Sequence, residues 1–188
     1  MTYKVVNMVA STRLTNSIDL NEVSDILGIE YEQEQFPGMV YRVATPKVCL
    51  LLFRSGRCVA AGAKDISHVH EAVKVLHDDL MAHDFELWPF DAIDIMLQNI
   101  VVTHNIGVGL DLERLVISLP FEHSEYEPEQ FPGLIYHITD PDVVFLIFAS
   151  GKCVISGSKT FEDVEAAIVK LKAEFDEILE FVQVDPKE

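Results

Sequence analysis

The stretch EYEQEQFPGMVYRVATPKVCLLLFRSGRCVAAGAK covers Glu30–Lys64, and EYEPEQFPGLIYHITDPDVVFLIFASGKCVISGSK covers Glu125–Lys159. Superposed at a shift of 95 residues, Tyr31–Leu76 and Tyr126–Leu171 agree at 21 of 46 positions. An internal repeat takes precedence over any local motif in reading a fold. Further upstream the shift becomes 92, which sets Asn7-x-Val9 on Asn99-x-Val101 and Asp19-Leu20 on Asp111-Leu112. The second copy therefore carries three extra residues around Phe121–Ser124. Two copies are too few for a solenoid. The expected architecture is one pseudo-twofold body of two repeats, residues 1–93 and 94–188 with a short C-terminal tail. Its function should then lie on a surface that both repeats share.

Periodicity changes in a fixed order within each copy. Tyr3–Ser11 reads as a strand. Asp19–Leu27 reads as a short helix with Asp19 as N-cap and Leu20, Val23, Ile26 and Leu27 on its apolar side. Short strands follow at Tyr31–Glu34, Met39–Ala44, Val48–Arg54 and Arg57–Gly62, the last two joined by a tight Ser55-Gly56 turn. Ser67–His83 has helical spacing at Val69, Ala72, Val73, Leu76 and Leu80. Hairpins of this kind imply an antiparallel sheet and an α+β class. The runs Val48–Phe53 and Val143–Phe148 contain no polar residue, so both faces of the sheet need cover. One long and one short helix per copy cover one face. The other, with Leu51, Phe53, Val59 and Ala61 by strand parity, is left for a dimer interface, a ligand or an apolar binding surface.

Composition narrows the function. Half of the 188 residues are apolar and a quarter charged, as in a globular protein. No run of 18 apolar residues and no signal-peptide pattern occurs, so a cytoplasmic setting is expected and no membrane contact. Cys49, Cys58 and Cys153 lack metal-site spacing and read as buried free thiols. The seven histidines form no H-E-x-x-H or Cys/His cluster, and Gly107-x-Gly109 lacks a dinucleotide-binding context. Neither an enzyme nor a cofactor is expected. The formal net charge of −17 argues against nucleic acid on its face. Much of the excess falls on Glu162, Asp163, Glu165, Glu174, Asp176, Glu177 and Glu180, in a predicted helix whose solvated side explains it.

The paired Asn-x-Val, the paired FPG loops and the paired F-x-S-G-[KR]-x-V…G-x-K segments resemble the TATA-box-binding protein family, in its archaeal form. The resemblance covers residues 3–181. It implies a ten-stranded antiparallel saddle with four helices on the convex side, and promoter DNA held by its minor groove under the concave side. It also implies transcription factor B as a partner, RNA polymerase indirectly, a possible homodimer when free, and work on the nucleoid of an archaeal cell.

Carried over motif by motif, the resemblance gives four wedging rings: Phe36 and Phe53, then Phe131 and Phe148. Apolar wedges that kink a duplex are a mode for which this family is itself the standard example. Pro-Gly after Phe36 and Phe131 would hold those rings out from the loop. Asn7 and Asn99 match the central base-contacting amides, suited to a groove whose A·T pairs present acceptors. Val9, Val101, Leu51, Leu146, Val59 and Val154 match the apolar floor, and Ser156 a base-contacting hydroxyl. Arg42, Arg57 and Lys152 match phosphate-contacting positions, with Ser55 and Ser150 beside them. Glu127 and Glu129, beside Phe131, match the edge where transcription factor B docks.

Three departures stand out. Ala61 and Ser156 occupy positions where threonine is usual, so one hydroxyl is absent. His137 stands where arginine is usual, opposite Arg42. The Ser67–His83 helix carries Asp78, Asp79 and histidines where relatives are often basic. A β-saddle that dimerises or binds a ligand through its apolar face is the alternative. It leaves the two exposed Phe loops and the two asparagines unexplained.

Overall fold

The computed structural model describes residues 2–185. Its elements run β1 (Tyr3–Arg13), α1 (Leu20–Leu27), β2 (Gly38–Val43), β3 (Val48–Phe53), β4 (Arg57–Ala63) and α2 (Ile66–Ala82). After a 3-10 turn at Phe90–Ala92 come β5 (Met96–Asn105), β6 (Gly109–Leu110), α3 (Leu112–Ser118), β7 (Ser124–Glu125) and β8 (Leu134–Thr139). The chain ends with β9 (Asp142–Ile147), β10 (Lys152–Ser158), α4 (Phe161–Asp176), α5 (Leu179–Val182) and β11 (Gln183–Val184). No helix among the described residues is long and apolar enough to cross a membrane. The chain forms two compact units, Val6–Gln98, and Asn99–Glu188 together with Met1–Val5.

In the unit Val6–Gln98 the strands pair antiparallel in the order β2-β3-β4-β1. Helix α1 starts where the Asp19 carboxylate accepts the N–H groups of Asn21 and Glu22, and ends at Gly28 in the left-handed region, φ 66°. Asp65 caps α2 by accepting from Ser67 N–H at 2.8 Å. Val69, Ala72, Val73, Leu76 and Leu80 then form the buried stripe of α2. That stripe lies on Leu50, Leu52 and Ala60, all fully buried. The Tyr41 hydroxyl donates to Asp79 of α2 at 2.8 Å. Burial and this bond push the Tyr41 hydroxyl up to about 12.

The second unit has the same plan. Its sheet order is β5-β10-β9-β8-β7, antiparallel where the ladders join β10 to β5 and β9, β8 to β9, and β7 to β8. Thr160 caps α4, whose Val164, Ala167, Ile168 and Leu171 are buried. Tyr136 donates to Glu174 as Tyr41 does to Asp79. The short ribbon β6/β11 and helix α5, packed on α3 and α4, have no counterpart in the first unit.

The α+β class and the antiparallel two-repeat plan are as expected. One strand is not. Tyr31–Glu34 is irregular chain leading into a turn, because the N–H groups of Gln35 and Phe36 both turn back to the Glu32 carbonyl, at 3.0 and 3.1 Å. The Glu32 carbonyl is thereby spent on the turn and not offered to a neighbouring strand. The second unit makes the same turn on the Glu127 carbonyl, but pairs Ser124–Glu125 with β8 just before it. Among the described residues four strands pair in the order given for the one unit and five in that given for the other, nine and not ten. The Ser55-Gly56 turn is confirmed: Gly56 has φ 77°, and a Cβ there would lie 2.0 Å from the Thr15 carbonyl oxygen. Gly151 repeats this against Val108 at the same distance.

Candidate nucleic-acid interface

In each unit the sheet face away from the long helix is mostly half-buried side chains, with Ser11 buried and Arg42 and His137 exposed among them. In the first, one row across the strands is Val40–Leu51–Val59–Ser11 and the next Arg42–Cys49–Ala61–Val9. In the second, the rows are Ile135–Leu146–Val154–Thr103 and His137–Val144–Ser156, with Val101 on the adjoining strand. Strand parity had assigned Leu51, Phe53, Val59 and Ala61 to this face, and all four are half-exposed while Leu50, Leu52, Cys58 and Ala60 are buried. Val40, Ile135, Val144 and Thr103 belong to the same rows and were missed, although alternation along their strands points to them. Cys49 also lies here, half-buried and 3.8 Å from an Arg42 Nη1, so only Cys58 and Cys153 of the three free thiols are buried as expected.

The two phenylalanines of each unit are brought together. Phe36 and Phe53 meet edge to face with ring centres 6.0 Å apart, and Phe131 and Phe148 at 5.8 Å. Phe36 is 42% exposed. The glycine of each FPG makes room for the pair. A Cβ on Gly38 would lie 2.8 Å from Phe36 Cε1 and 3.0 Å from Phe53 Cε1; on Gly133 the distances are 2.7 Å to Phe131 and 3.1 Å to Phe148. Neither glycine needs the left-handed backbone. The expectation that Pro-Gly acts through loop stiffness is thus only part of the account.

Asn7 and Asn99 are tied to the backbone. The register of β1 against β4 slips between Met8 and Val9, and Gly62, φ 96°, is the extra residue. A bulge of this kind frees an N–H from the ladder. The Gly62 N–H donates to Asn7 Oδ1 at 2.8 Å, and Gly157, φ 107°, donates likewise to Asn99 at 2.7 Å. Because a backbone N–H can only donate, it fixes which end of each amide is oxygen. Each asparagine therefore presents Nδ2, with its two donors, as the unspent end.

Around this face, Arg42, Arg57 and Lys152 are exposed, and none makes an ion pair among the described residues. Ser55 Oγ accepts the Arg57 N–H, and Ser150 Oγ that of Lys152, both at 3.4 Å, which leaves each hydroxyl proton free to donate. Ala61 and Ser156 are half-buried in the rows given above. Glu127 and Glu129 are exposed on the loop before Phe131, and the Glu127 carbonyl closes that loop. The buried histidines serve the backbone: His77 Nε2 donates to the Trp88 carbonyl and His104 Nδ1 to that of Thr2, both at 2.8 Å.

The model of the family described as "Transcription factor TFIID (or TATA-binding protein, TBP)" matches residues 2–83 and 94–178. The chain belongs to the TATA-box-binding protein family. It is 44% identical over 178 residues to the TATA-box-binding protein of Natronomonas pharaonis, 94% of each chain being covered. That of Thermoplasma volcanium is 43% identical over 175 residues, covering 93% of this chain and 94% of the relative. The solved structure of Methanococcus jannaschii TBP superposes with a TM-score of 0.85 at 43% identity, covering 94% of this chain and 99% of that one. TATA-box-binding proteins are general transcription factors and not enzymes.

Proposed function

We propose that this chain binds the minor groove of A·T-rich promoter DNA, kinks it by inserting phenylalanines, and recruits transcription factor B and through it RNA polymerase. The two repeats, residues 1–93 and 94–188, act as its two halves. The observation that carries the reading is the edge-to-face pair Phe36–Phe53, repeated as Phe131–Phe148, beside an apolar sheet face. A loop aromatic left exposed in water has a use if it replaces stacking lost when a base step opens.

Asn7 and Asn99 fit the same reading, since their unspent ends are donors and A·T pairs offer only acceptors in the minor groove. Val9, Leu51 and Val59, with Val101, Leu146 and Val154, form the apolar floor that the exocyclic amine of guanine would abut. Ser156 adds one hydroxyl to that floor. Arg42, Arg57, Lys152, Ser55 and Ser150 hold phosphates and set the register. Glu127 and Glu129 receive the basic residues of transcription factor B.

Mobility shift and end-to-end fluorescence transfer on a TATA-containing duplex test the reading. The unmodified chain should bind and bend it. The Phe36→Ala/Phe131→Ala variant should bend it far less, and a duplex already kinked by a mismatch should restore part of the affinity. Full bending by that variant would sink the wedge assignment.

A further inference from the structure

The repeats keep the same apolar face and differ in the charges around it. Gly38–Lys64 contains five basic residues, Arg42, Lys47, Arg54, Arg57 and Lys64, and no acidic one. The aligned Gly133–Lys159 contains two basic residues, Lys152 and Lys159, and two acidic ones, Asp140 and Asp142. Position by position, Arg42 becomes His137, Lys47 becomes Asp142 and Arg54 becomes Ala149. All of these side chains are exposed, and among the described residues none of the five first-repeat cations is spent in an ion pair. In a molecule of net charge −17, one strand-rich segment is thus strongly cationic and its copy is neutral.

We propose that the two repeats engage the duplex in order: the first repeat makes the electrostatic encounter with phosphate, and the second joins afterwards by apolar insertion. This rests on the reading that the chain binds duplex DNA. Charges act over roughly a Debye length, about 8–10 Å at ordinary ionic strength, whereas apolar burial requires contact. A duplex approaching an otherwise anionic molecule is therefore drawn to Arg42, Lys47, Arg54, Arg57 and Lys64 before any ring reaches a base step. The second repeat has no comparable attraction at a distance. Its Phe131 and Phe148 contribute once the groove is already aligned, and so act on the dissociation rate.

Stopped-flow association with a fluorescent promoter duplex at several KCl concentrations tests the order. Arg42→Gln/Arg54→Gln and Lys152→Gln/Lys159→Gln remove the same charge from exposed positions, one pair per repeat, and unfolding midpoints check that both variants fold. The first pair should slow association about tenfold at low salt and flatten its salt dependence. The second pair should act on dissociation and leave association within about twofold. His137→Arg/Asp142→Lys/Ala149→Arg gives the second repeat the first repeat's set and should speed association. Equal slowing by the two glutamine pairs, or no acceleration by the transplanted set, overturns the order while leaving DNA binding intact. No binding by the unmodified chain sinks both readings.

Discussion

Gly38→Ala and Gly133→Ala separate the room that a glycine provides from its backbone freedom. Neither residue has a left-handed φ, so alanine is allowed by the backbone at both positions. The clash is with rings. The new Cβ would lie 2.7 Å from Phe131 Cε1 and 3.1 Å from Phe148 Cε1, against the 3.5–4.0 Å or so of ordinary carbon contacts. One ring must retreat by about 1 Å at its edge. Phe131 is the one free to move, since it sits on a loop whereas Phe148 follows β9. The folded state loses at most the worth of one edge-to-face pair, roughly 0.5–1.5 kcal/mol. Its unfolding midpoint should then fall by only a few degrees, at about 2–4 °C per kcal/mol for a chain of this size.

The effect on DNA should be larger than the effect on the fold. A base stacked on an aromatic contributes about 1–3 kcal/mol, so a displaced wedge should cost roughly tenfold in affinity. Calorimetry or thermal fluorescence gives the first quantity, and titration with a bend-reporting duplex gives the second. Adding Phe148→Leu to Gly133→Ala removes the crowding from the other side and should return part of the stability but not the bend. Wild-type affinity and bend in Gly133→Ala would refute the argument that the glycine positions the wedge. A collapse of stability would refute it differently, by showing that the backbone needed glycine after all.

Asn7→Asp and Asn99→Asp keep the oxygen that accepts from Gly62 or Gly157 and delete the donors, so folding should persist while binding weakens by about 1–3 kcal/mol; unchanged affinity and unchanged rejection of a G·C pair would sink the amide assignment. Glu127→Lys/Glu129→Lys should abolish the ternary complex with transcription factor B in a supershift assay and leave the binary complex; equal loss of both would refute a separate docking edge. Cys49 should react with a thiol reagent at once and be protected by promoter DNA, whereas Cys58 and Cys153, buried and pushed up to about 12, should react only on unfolding. Because the floor is apolar and only the first repeat's rim is basic, affinity should fall only shallowly with potassium concentration; a steep loss from the lowest salt upward would show that phosphate contacts dominate.

Sequence made the repeat legible because identity recurs at positions with strict physical demands. Gly56 and Gly151 cannot carry a Cβ, whereas Leu50 and Leu52 fill one core and keep only their apolar character as Phe145 and Ile147 in the other. Strand parity then located the open face, since alternation along a strand is a property of the backbone and needs no tertiary knowledge. What stayed hidden depended on contacts between distant residues. Nothing in N-x-V says that Asn7 Oδ1 is spent on the Gly62 N–H, 55 residues away. Nothing in FPG says that its glycine faces a ring from the end of another strand. Tyr31–Glu34 was misread for a related reason, as its β-prone tyrosine competes with a turn that only the Glu32 carbonyl reveals.

The repeats have diverged in a selective way, and the selection follows from range. Side chains that would touch base edges must match a groove in depth and shape to a fraction of an ångström. Val9 and Val101, Leu51 and Leu146, Val59 and Val154, and all four phenylalanines accordingly keep their identity across the copies. Charges around the rim act through solvent and over several ångströms, so their positions are loosely constrained while their sum matters. Arg42, Lys47 and Arg54 stand opposite His137, Asp142 and Ala149, all six exposed, and among the described residues the one floor contact they make is that of Arg42 with Cys49. A chain that conserves short-range contacts in both halves and concentrates long-range attraction in one has the means to recognise a nearly symmetric groove in an ordered, asymmetric way.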